Sequence, residues 1–316
     1  MTMLSSGSPL KASEAVDILG RYGKSFRFAS LLMPRRDAED AARLYSACRV
    51  LDDLADESSP SARPAARQRL DHIRTELKDN HTISDPISRI LLDLQQRRQL
   101  DLKATDYLIE TMLADADGAV QIDDEAALFA YCYGAAGSVG VMMSPLVGAP
   151  QSSLPFAVDL GLAMQMTNIA RDVLEDAAAG RRYLPASWVE GLSAEDIYAG
   201  SQDAAIQARV ATAIKHLLHL AEQYYHSAGA GIATIPGRNG WAIKVAALVY
   251  REIGQVLARQ HYTWWQGRAQ VSLGGKFACL WHQRGHHSPF ARAGHAHDPS
   301  LHWALEGFPG CSGSTA

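Results

Sequence analysis

Apolar residues recur at intervals of three and four along almost the whole chain, and this helical period is the feature that most restricts the fold. Two long examples are "DAEDAARLYSACRVLDDLADE" and "LPFAVDLGLAMQMTNIARDVLEDAAAG". β-Branched residues almost never alternate strictly with polar ones, and stretches such as "ESSPSARP" and "IPGRNG" separate the helical segments. The pattern predicts an all-α protein, and no fixed-period repeat indicates a solenoid.

Composition limits the kinds of partner that the protein can have. The chain has 316 residues, 47% of them hydrophobic, which is enough for one large core. The net charge of -4 gives no basic surface, so we expect no nucleic-acid partner. The four cysteines lie far apart without a C-x-x-C motif, and no secretory signal precedes the first helical segment. These features predict a cytoplasmic protein whose thiols are reduced.

The sequence predicts no integral membrane segment, because no uninterrupted apolar run reaches the roughly 20 residues that a span needs. The richest stretch, "SSLPFAVDLGLAMQMTNIA", is interrupted by Asp159. Peripheral association with a membrane stays open, and the sequence does not indicate the oligomeric state.

From Trp281 onwards the chain loses its apolar period and becomes rich in His, Gly, Pro and Ser. Six of the twelve histidines lie here, so the alternatives are a metal-binding tract and a disordered tail. We predict one all-α domain over residues 1–280, followed by a disordered tail over residues 281–316 without a functional role.

A polar strip runs along the apolar helix that contains "QMTNIARDVLED". Gln165, Asn168, Asp172 and Asp176 lie within roughly 80° of one another on a helix, about three turns long. A strip of this kind, taken alone, is equally typical of a solvated face.

A second strip follows the same design in "RLYSACRVLDDLADES". Tyr45, Arg49, Asp52 and Asp56 share about 60° of one helix face. Carboxylates four residues apart repel each other, and Asp is a poor helix former, so the strip costs stability unless a cation offsets its charge. Asp40 lies outside this strip, and its replacement by Asn is expected to change little.

Two such helices that face each other would form a cage of hard oxygen ligands. Mg²⁺ suits this cage, with Mn²⁺ as the alternative, because Mg²⁺ binds a few carboxylates and completes its octahedron with water and phosphate. Zinc would require His or Cys, and a di-iron site would require Glu-x-x-His repeats. The predicted ligands are Asp52, Asp56, Asn168, Asp172 and Asp176.

These motifs resemble the phytoene/squalene synthase family of isoprenoid enzymes, over Tyr22 to about Lys276. Further matching stretches are "YGKSFRFASLLMP", "AYCYGAAGSVGVMM", "GRRYLP" and "WAIKVAALVYREIG", and the "GxVGxMM" and "GRRYLP" segments are most similar to bacterial phytoene synthases. The resemblance implies an isoprenoid-synthase helical bundle around a deep apolar pocket. It also implies Mg²⁺-dependent head-to-head joining of two C20 geranylgeranyl diphosphates, through prephytoene diphosphate, to phytoene in carotenoid biosynthesis.

The family also implies roles for individual residues. The aspartates of the two Asp-x-x-x-Asp motifs and Arg49 would be catalytic, with Arg49 contacting diphosphate. Arg182 is a further candidate, whereas the segment around Asp115 departs from the family pattern. The residues that would bind substrate are Tyr22, Ser25, Tyr45, Gln165, Asn168, Arg171, Tyr250 and Arg268.

Three alternatives stay open. A squalene or dehydrosqualene synthase would use the same aspartates on C15 farnesyl diphosphate, and the squalene enzyme would also need NADPH, which phytoene formation does not. A non-catalytic homologue could act as an assembly factor, although such proteins typically lose ligands from one motif. A terpene cyclase or chain-elongating prenyltransferase fits "DDLAD", which also reads as Asp-Asp-x-x-Asp.

Overall fold

A computed structural model of the chain describes residues 29–57, 59, 61–79, 83–118, 120–269, 271, 290 and 294–311. Within these residues the protein is helical, without a named strand, so the all-α prediction is confirmed. The helices are α1 (Arg35–Ala55), α2 (Arg63–Asp79), α3 (Pro86–Arg98), α4 (Leu102–Asp117), α5 (Glu125–Cys132), α6 (Ser138–Val147), α7 (Leu154–Ala178), α8 (Ala194–Ala199), α9 (Ala204–Ile232) and α10 (Gly237–Arg259). A π-helical turn, Tyr133–Gly137, joins α5 to α6.

Aspartate side chains begin several of these helices. Asp85, Asp101, Asp124 and Asp203 each accept a hydrogen bond from a backbone N–H in the first turn of α3, α4, α5 and α9. The first-turn N–H groups have no partner within the helix, and these carboxylates accept their hydrogen bonds. The negative charge of each carboxylate is also stabilised by the positive end of the helix dipole. The starts of these four helices are therefore encoded locally.

Helix α7 lies at the centre of the bundle and packs against α6, α8, α9 and α10. Two glycines allow the closest approach. A Cβ at Gly161 would lie 2.4 Å from the carbonyl oxygen of Ala136, and a Cβ at Gly140 would lie 2.2 Å from that of Ala157. Any side chain at either position would push α7 away from α6 and the π-helical turn.

Ion pairs between charged side chains connect α1 to α3 beside this core. The side chain of Asp40 is 5% exposed, and it accepts hydrogen bonds from Arg97 (2.9 Å) and Arg98 (2.6 Å). Asp40→Asn would remove the charge that both arginines contact, although Arg97 also pairs with Asp93 and Arg98 with Asp37. Asp40 therefore has a packing role between α1 and α3 that the sequence did not indicate, and the effect of Asp40→Asn stays a prediction.

One continuous helical stretch, Glu125–Val147, is long and apolar enough to cross a membrane by length and composition. Contrary to the sequence-based expectation, such a stretch is present. Half of its most apolar window is buried inside the bundle, and a core helix passes the same test. The finding is weak evidence for a membrane span.

The segment of residues 294–311, called the C-terminal segment below, packs onto the bundle. Its Leu305 is fully buried. Tyr224 donates a hydrogen bond to the carbonyl oxygen of Leu301 (2.6 Å), and Tyr133 donates one to that of Pro309 (2.8 Å). The prediction of a disordered tail is therefore wrong for these residues.

The prediction failed because the buried side chains of this segment do not recur at the three- and four-residue spacing of an amphipathic helix. Phe308 packs against the rings of Tyr107 and Tyr133, at centroid separations of 4.7 and 4.8 Å. Single apolar side chains pack into sites formed by the bundle, and tyrosine hydroxyls donate hydrogen bonds to the backbone of the segment. These contacts order a segment that has no amphipathic pattern.

Candidate active site

An apolar cavity of about 370 Å³ lies between α1, α4, α6, α7, α9 and α10, a size within the roughly 300–1,000 Å³ of small-molecule pockets. The predicted central apolar pocket is therefore present. Methionines and small residues line most of it, including Met112, Met143 and Met164. The polar lining includes Tyr45, Arg49, Asp52, Gln165, Asn168 and Tyr250.

The strip on α1 presents an arginine between two aspartates. Arg49 donates a hydrogen bond to Asp52 (2.7 Å) and also contacts Asp53. The three- and four-residue spacings place these side chains on one side of the helix. Arg49 thus neutralises part of the charge that the sequence places there.

The strip on α7 is held by arginines from two elements. Asp172 accepts a hydrogen bond from its neighbour Arg171 (2.6 Å) and another from Arg268 (2.7 Å), which follows α10. One turn earlier, Asn168 donates to Gln165 (3.3 Å). The Oδ1 atom of Asn168 is buried without a hydrogen-bond partner. A buried acceptor of this kind is suited to a cation or a ligand donor.

Sequence analysis missed Arg181, which connects the two strips. Gly180 has a left-handed backbone conformation (φ 79°) just after α7, where the chain turns. Arg181 then reaches Asp56 at the end of α1, with an N–O distance of 2.5 Å. The "GRRY" motif offers two candidate arginines, but only the conformation of the turn determines which of them reaches the aspartates.

Arg182, the other arginine of this pair, has a structural role. It is buried and donates to the backbone carbonyl oxygens of Ile122 and Leu184, and to the side chain of Gln121 (3.1 Å). The structure therefore does not support Arg182 as a substrate contact, since its donors are already used by the backbone.

Three carboxyl groups of the site have strongly raised pKa values. Burial, and then the charge of Asp56, raise the pKa of Asp52 to about 6. Burial, and then the charge of Asp172, raise that of Asp176 to about 7. Asp115, to which sequence analysis assigned no role, belongs to the same group: burial raises its pKa to about 7, and Tyr131 donates to it at 3.3 Å. The site holds more negative charge than its arginines compensate.

The donor set fits a hard divalent cation. The predicted ligands Asp52, Asp56, Asp172 and Asp176 supply carboxylate oxygens, and Asn168 supplies the buried amide oxygen that lacks a partner. Neither His nor Cys is among these ligands, and hard carboxylate and amide oxygens are the donors that Mg²⁺ binds. These residues suit Mg²⁺ or Mn²⁺ better than a softer metal.

Two tyrosines lie where the polar end meets the apolar pocket. Burial raises the pKa of Tyr45 to about 12, and burial likewise raises that of Tyr250. Both phenols therefore stay neutral near pH 7. The predicted contacts Tyr22 and Ser25 lie outside the described residues, so their roles stay predictions.

The sequence of the chain matches a family model. The model described as squalene/phytoene synthase covers residues 19–274. The chain belongs to this family. The resemblance seen in the two aspartate motifs is thereby confirmed over most of the chain.

Bacterial relatives are named as phytoene synthases. The chain is 36% identical to the 15-cis-phytoene synthase of Enterobacter agglomerans over 270 residues, which are 81% of this chain and 89% of the relative. It is 34% identical to that of Pantoea ananas, over 86% of this chain and 91% of the relative. Among solved structures, a ligand-bound dehydrosqualene synthase matches with a TM-score of 0.73 and 27% identity, over 86% of this chain and 95% of that one.

Proposed function

We propose that this protein catalyses the Mg²⁺-dependent head-to-head condensation of two geranylgeranyl diphosphates to phytoene, with release of diphosphate. The observation that carries the proposal is the pair of aspartate strips, bridged by Arg181 and Asp56, beside an apolar pocket. Identity of 36% to a 15-cis-phytoene synthase supports it further. The proposed role is in carotenoid biosynthesis and does not require NADPH.

The arginines of the site would bind the diphosphate. Arg49, Arg171 and Arg268 now contact Asp52, Asp53 or Asp172, and guanidinium groups bind phosphate oxygens bidentately. Mg²⁺, held by the four motif aspartates and Asn168, would neutralise the diphosphate charge so that it can leave as an anion. The neighbouring arginines would stabilise the charge that develops on the leaving oxygens.

The apolar walls would protect the carbocation that remains on the prenyl chain. Water would capture an allylic cation at once, so the rest of the reaction needs a closed pocket that excludes water. Methionines line it, and the neutral phenols of Tyr45 and Tyr250 stand at its polar end. The double bond of the second substrate is then the available nucleophile, and the tertiary cation formed by its attack would close a cyclopropane ring by losing a proton to the released diphosphate, which gives a cyclopropylcarbinyl diphosphate. A second ionisation, rearrangement and proton loss give phytoene.

Product analysis tests this proposal directly. Purified protein is incubated with C20 or C15 diphosphate and Mg²⁺, with and without NADPH, and the extracted hydrocarbon is analysed by mass. We expect a C40 hydrocarbon from the C20 substrate without NADPH, and no product in EDTA. Asp52→Asn and Asp172→Asn should abolish it, whereas Glu175→Gln, an exposed carboxylate of α7, should not.

Squalene or dehydrosqualene synthesis from C15 farnesyl diphosphate is the second candidate, because the similar solved structure is a dehydrosqualene synthase. Faster turnover of the C15 substrate to a C30 product would select it. A product built from a single C20 chain would indicate a cyclase. Folded protein without Mg²⁺-dependent diphosphate release would indicate a non-catalytic homologue.

For localisation we propose the cytoplasm, with peripheral association at a membrane that receives the hydrocarbon product. Flotation of the full chain with phospholipid vesicles would test the membrane part. Protein that stays with the unbound fraction at low and physiological salt would contradict it.

A further inference from the structure

A second cluster of ligand-type side chains lies between α7, α9 and the C-terminal segment, and its residues are absent from the lining of the apolar pocket. Its centre is Asp159, whose side chain is fully buried. Oδ2 of Asp159 accepts a hydrogen bond from the hydroxyl of Ser227 on α9 (2.6 Å) and lies 3.0 Å from Nε2 of His297. Oδ1 lies 2.9 Å from Nε2 of His302. Both histidines belong to the C-terminal segment.

The three residues converge as metal ligands do. Each offers one nitrogen or carboxylate oxygen, and these atoms all lie within 4.8 Å of one another. The side chains of His297 and His302 are 8% and 0% exposed, so their imidazoles are held away from bulk water. The two histidines are separated by four residues, which falls within the H-x₃₋₅-H spacing of zinc sites.

We propose that Asp159, His297 and His302 bind one transition-metal cation, with Zn²⁺ as the favoured ion. Two imidazoles and one carboxylate form a borderline-soft set that suits Zn²⁺ and not the hard Mg²⁺ of the aspartate strips. Ser227 fixes the orientation of the carboxylate, as hydrogen-bonding partners of metal ligands do.

The proposed site would add to the contacts that hold the C-terminal segment against the bundle. Its histidines lie 138 and 143 residues from Asp159 along the chain. A cation that joins such distant residues only in the folded state contributes its binding free energy to the stability of the fold. The inference is independent of the reaction proposed above.

The test uses the full chain without a histidine tag, stripped with EDTA and returned to excess Mg²⁺. ZnCl₂ is titrated by calorimetry, and CoCl₂ by visible absorption. We expect one Zn²⁺ per chain and Co²⁺ bands of a nitrogen and oxygen site. Asp159→Asn and His302→Gln should each weaken binding by about 100-fold or more, beyond the 10–100-fold typical of outer-shell partners.

Two control variants separate this site from others. His295→Gln removes an exposed histidine of the same segment and should bind Zn²⁺ as the wild type does. Asp52→Asn alters the proposed Mg²⁺ site and should also leave Zn²⁺ binding unchanged. Because the cluster variants could lose stability, the wild type is also melted with and without Zn²⁺, which should raise its melting temperature. Absence of Zn²⁺ uptake by the folded wild type, or unchanged affinity in folded Asp159→Asn, would overturn the proposal.

Discussion

Asp176 offers a sharp test of the active-site electrostatics, because its carboxylate is buried beside that of Asp172. Asp172 contacts Arg171 and Arg268, whereas Asp176 makes no ion pair with any residue that the structure describes. Burial, and then the charge of Asp172, raise the pKa of Asp176 from 3.8 to about 7. We predict that Asp176→Asn makes the metal-free protein more stable and much less active.

The size of the stability change follows from the pKa. At about 1.4 kcal/mol per pKa unit, the rise to about 7 corresponds to roughly 4 kcal/mol of unfolding free energy lost at pH 8. The titrations of neighbouring carboxylates are coupled, so the loss of unfolding free energy is shared among Asp176 and the carboxylates beside it. We therefore expect Asp176→Asn to raise the unfolding free energy by roughly 2–4 kcal/mol.

The pH dependence has a definite sign. The folded state holds the proton of Asp176 more tightly than the unfolded state does, so the wild-type stability falls as pH rises through about 7. Below pH 4 the carboxyl is protonated in both states, and the advantage of Asp176→Asn should disappear. The difference between the two proteins should therefore develop between about pH 4 and pH 8.

Activity should change in the opposite direction. An amide binds Mg²⁺ more weakly than a carboxylate, and loss of such electrostatic stabilisation typically lowers kcat about 100-fold or more. Mg²⁺ should also stabilise the wild type more than the variant, since binding to the folded state adds to its stability.

The assay is denaturant unfolding in EDTA at pH 4 and pH 8, with diphosphate release measured at saturating Mg²⁺. Glu175→Gln is the control, because it removes one exposed carboxylate from the adjacent position of α7. A folded Asp176→Asn protein that is no more stable than the wild type at pH 8 would show that this carboxylate is not destabilised by its surroundings. Near wild-type turnover by the same variant would refute the catalytic part.

Three further predictions concern positions outside the strips themselves. Arg181→Gln should lower kcat about 10- to 100-fold, because it removes the cation that holds the proposed metal ligand Asp56. Arg182→Gln should instead cost about 1–3 kcal/mol of stability, with kcat of the folded protein retained. Kinetics and melting of both variants check this contrast. Gly161→Ala should cost about 1–3 kcal/mol, measured by urea unfolding, because its Cβ would lie 2.4 Å from a backbone oxygen; an unchanged midpoint would contradict the close approach. Phe308→Ala should cost roughly 2–3 kcal/mol of unfolding free energy, below the 3–5 kcal/mol of a fully buried Phe, and truncation before residue 294 should cost more. Melting like that of the wild type in either case would show that the C-terminal segment is dispensable for stability.

The helices and the two aspartate strips could be predicted from the sequence because both depend on residues three or four positions apart. Asp52 and Asp56, or Asp172 and Asp176, share a face wherever their helix forms. Asp115 could not be placed, because its role depends on how α4 faces α1 and the chain beyond α7. Local periodicity carries no information about that packing.

The C-terminal segment escaped prediction for a related reason. Leu305 and Phe308 are buried in sites made by distant residues, and Tyr133 and Tyr224 satisfy its backbone. A composition rich in His, Gly and Pro is typical of disorder when no such partners exist. Here tertiary contacts override composition.

The arginine partners show why the complete fold is needed to assemble the site. Arg49 compensates Asp52 within one helix, and an isolated α1 could retain that contact. Arg181 reaches Asp56 across 125 residues, and Arg268 reaches Asp172 across 96. Without these distant cations the carboxylates would repel each other in both helices, so the site forms only when α1, α7 and the chain beyond α10 come together. In the proposed reaction the same arginines would exchange these aspartates for a diphosphate, and the bound Mg²⁺ would then compensate the aspartates that they release.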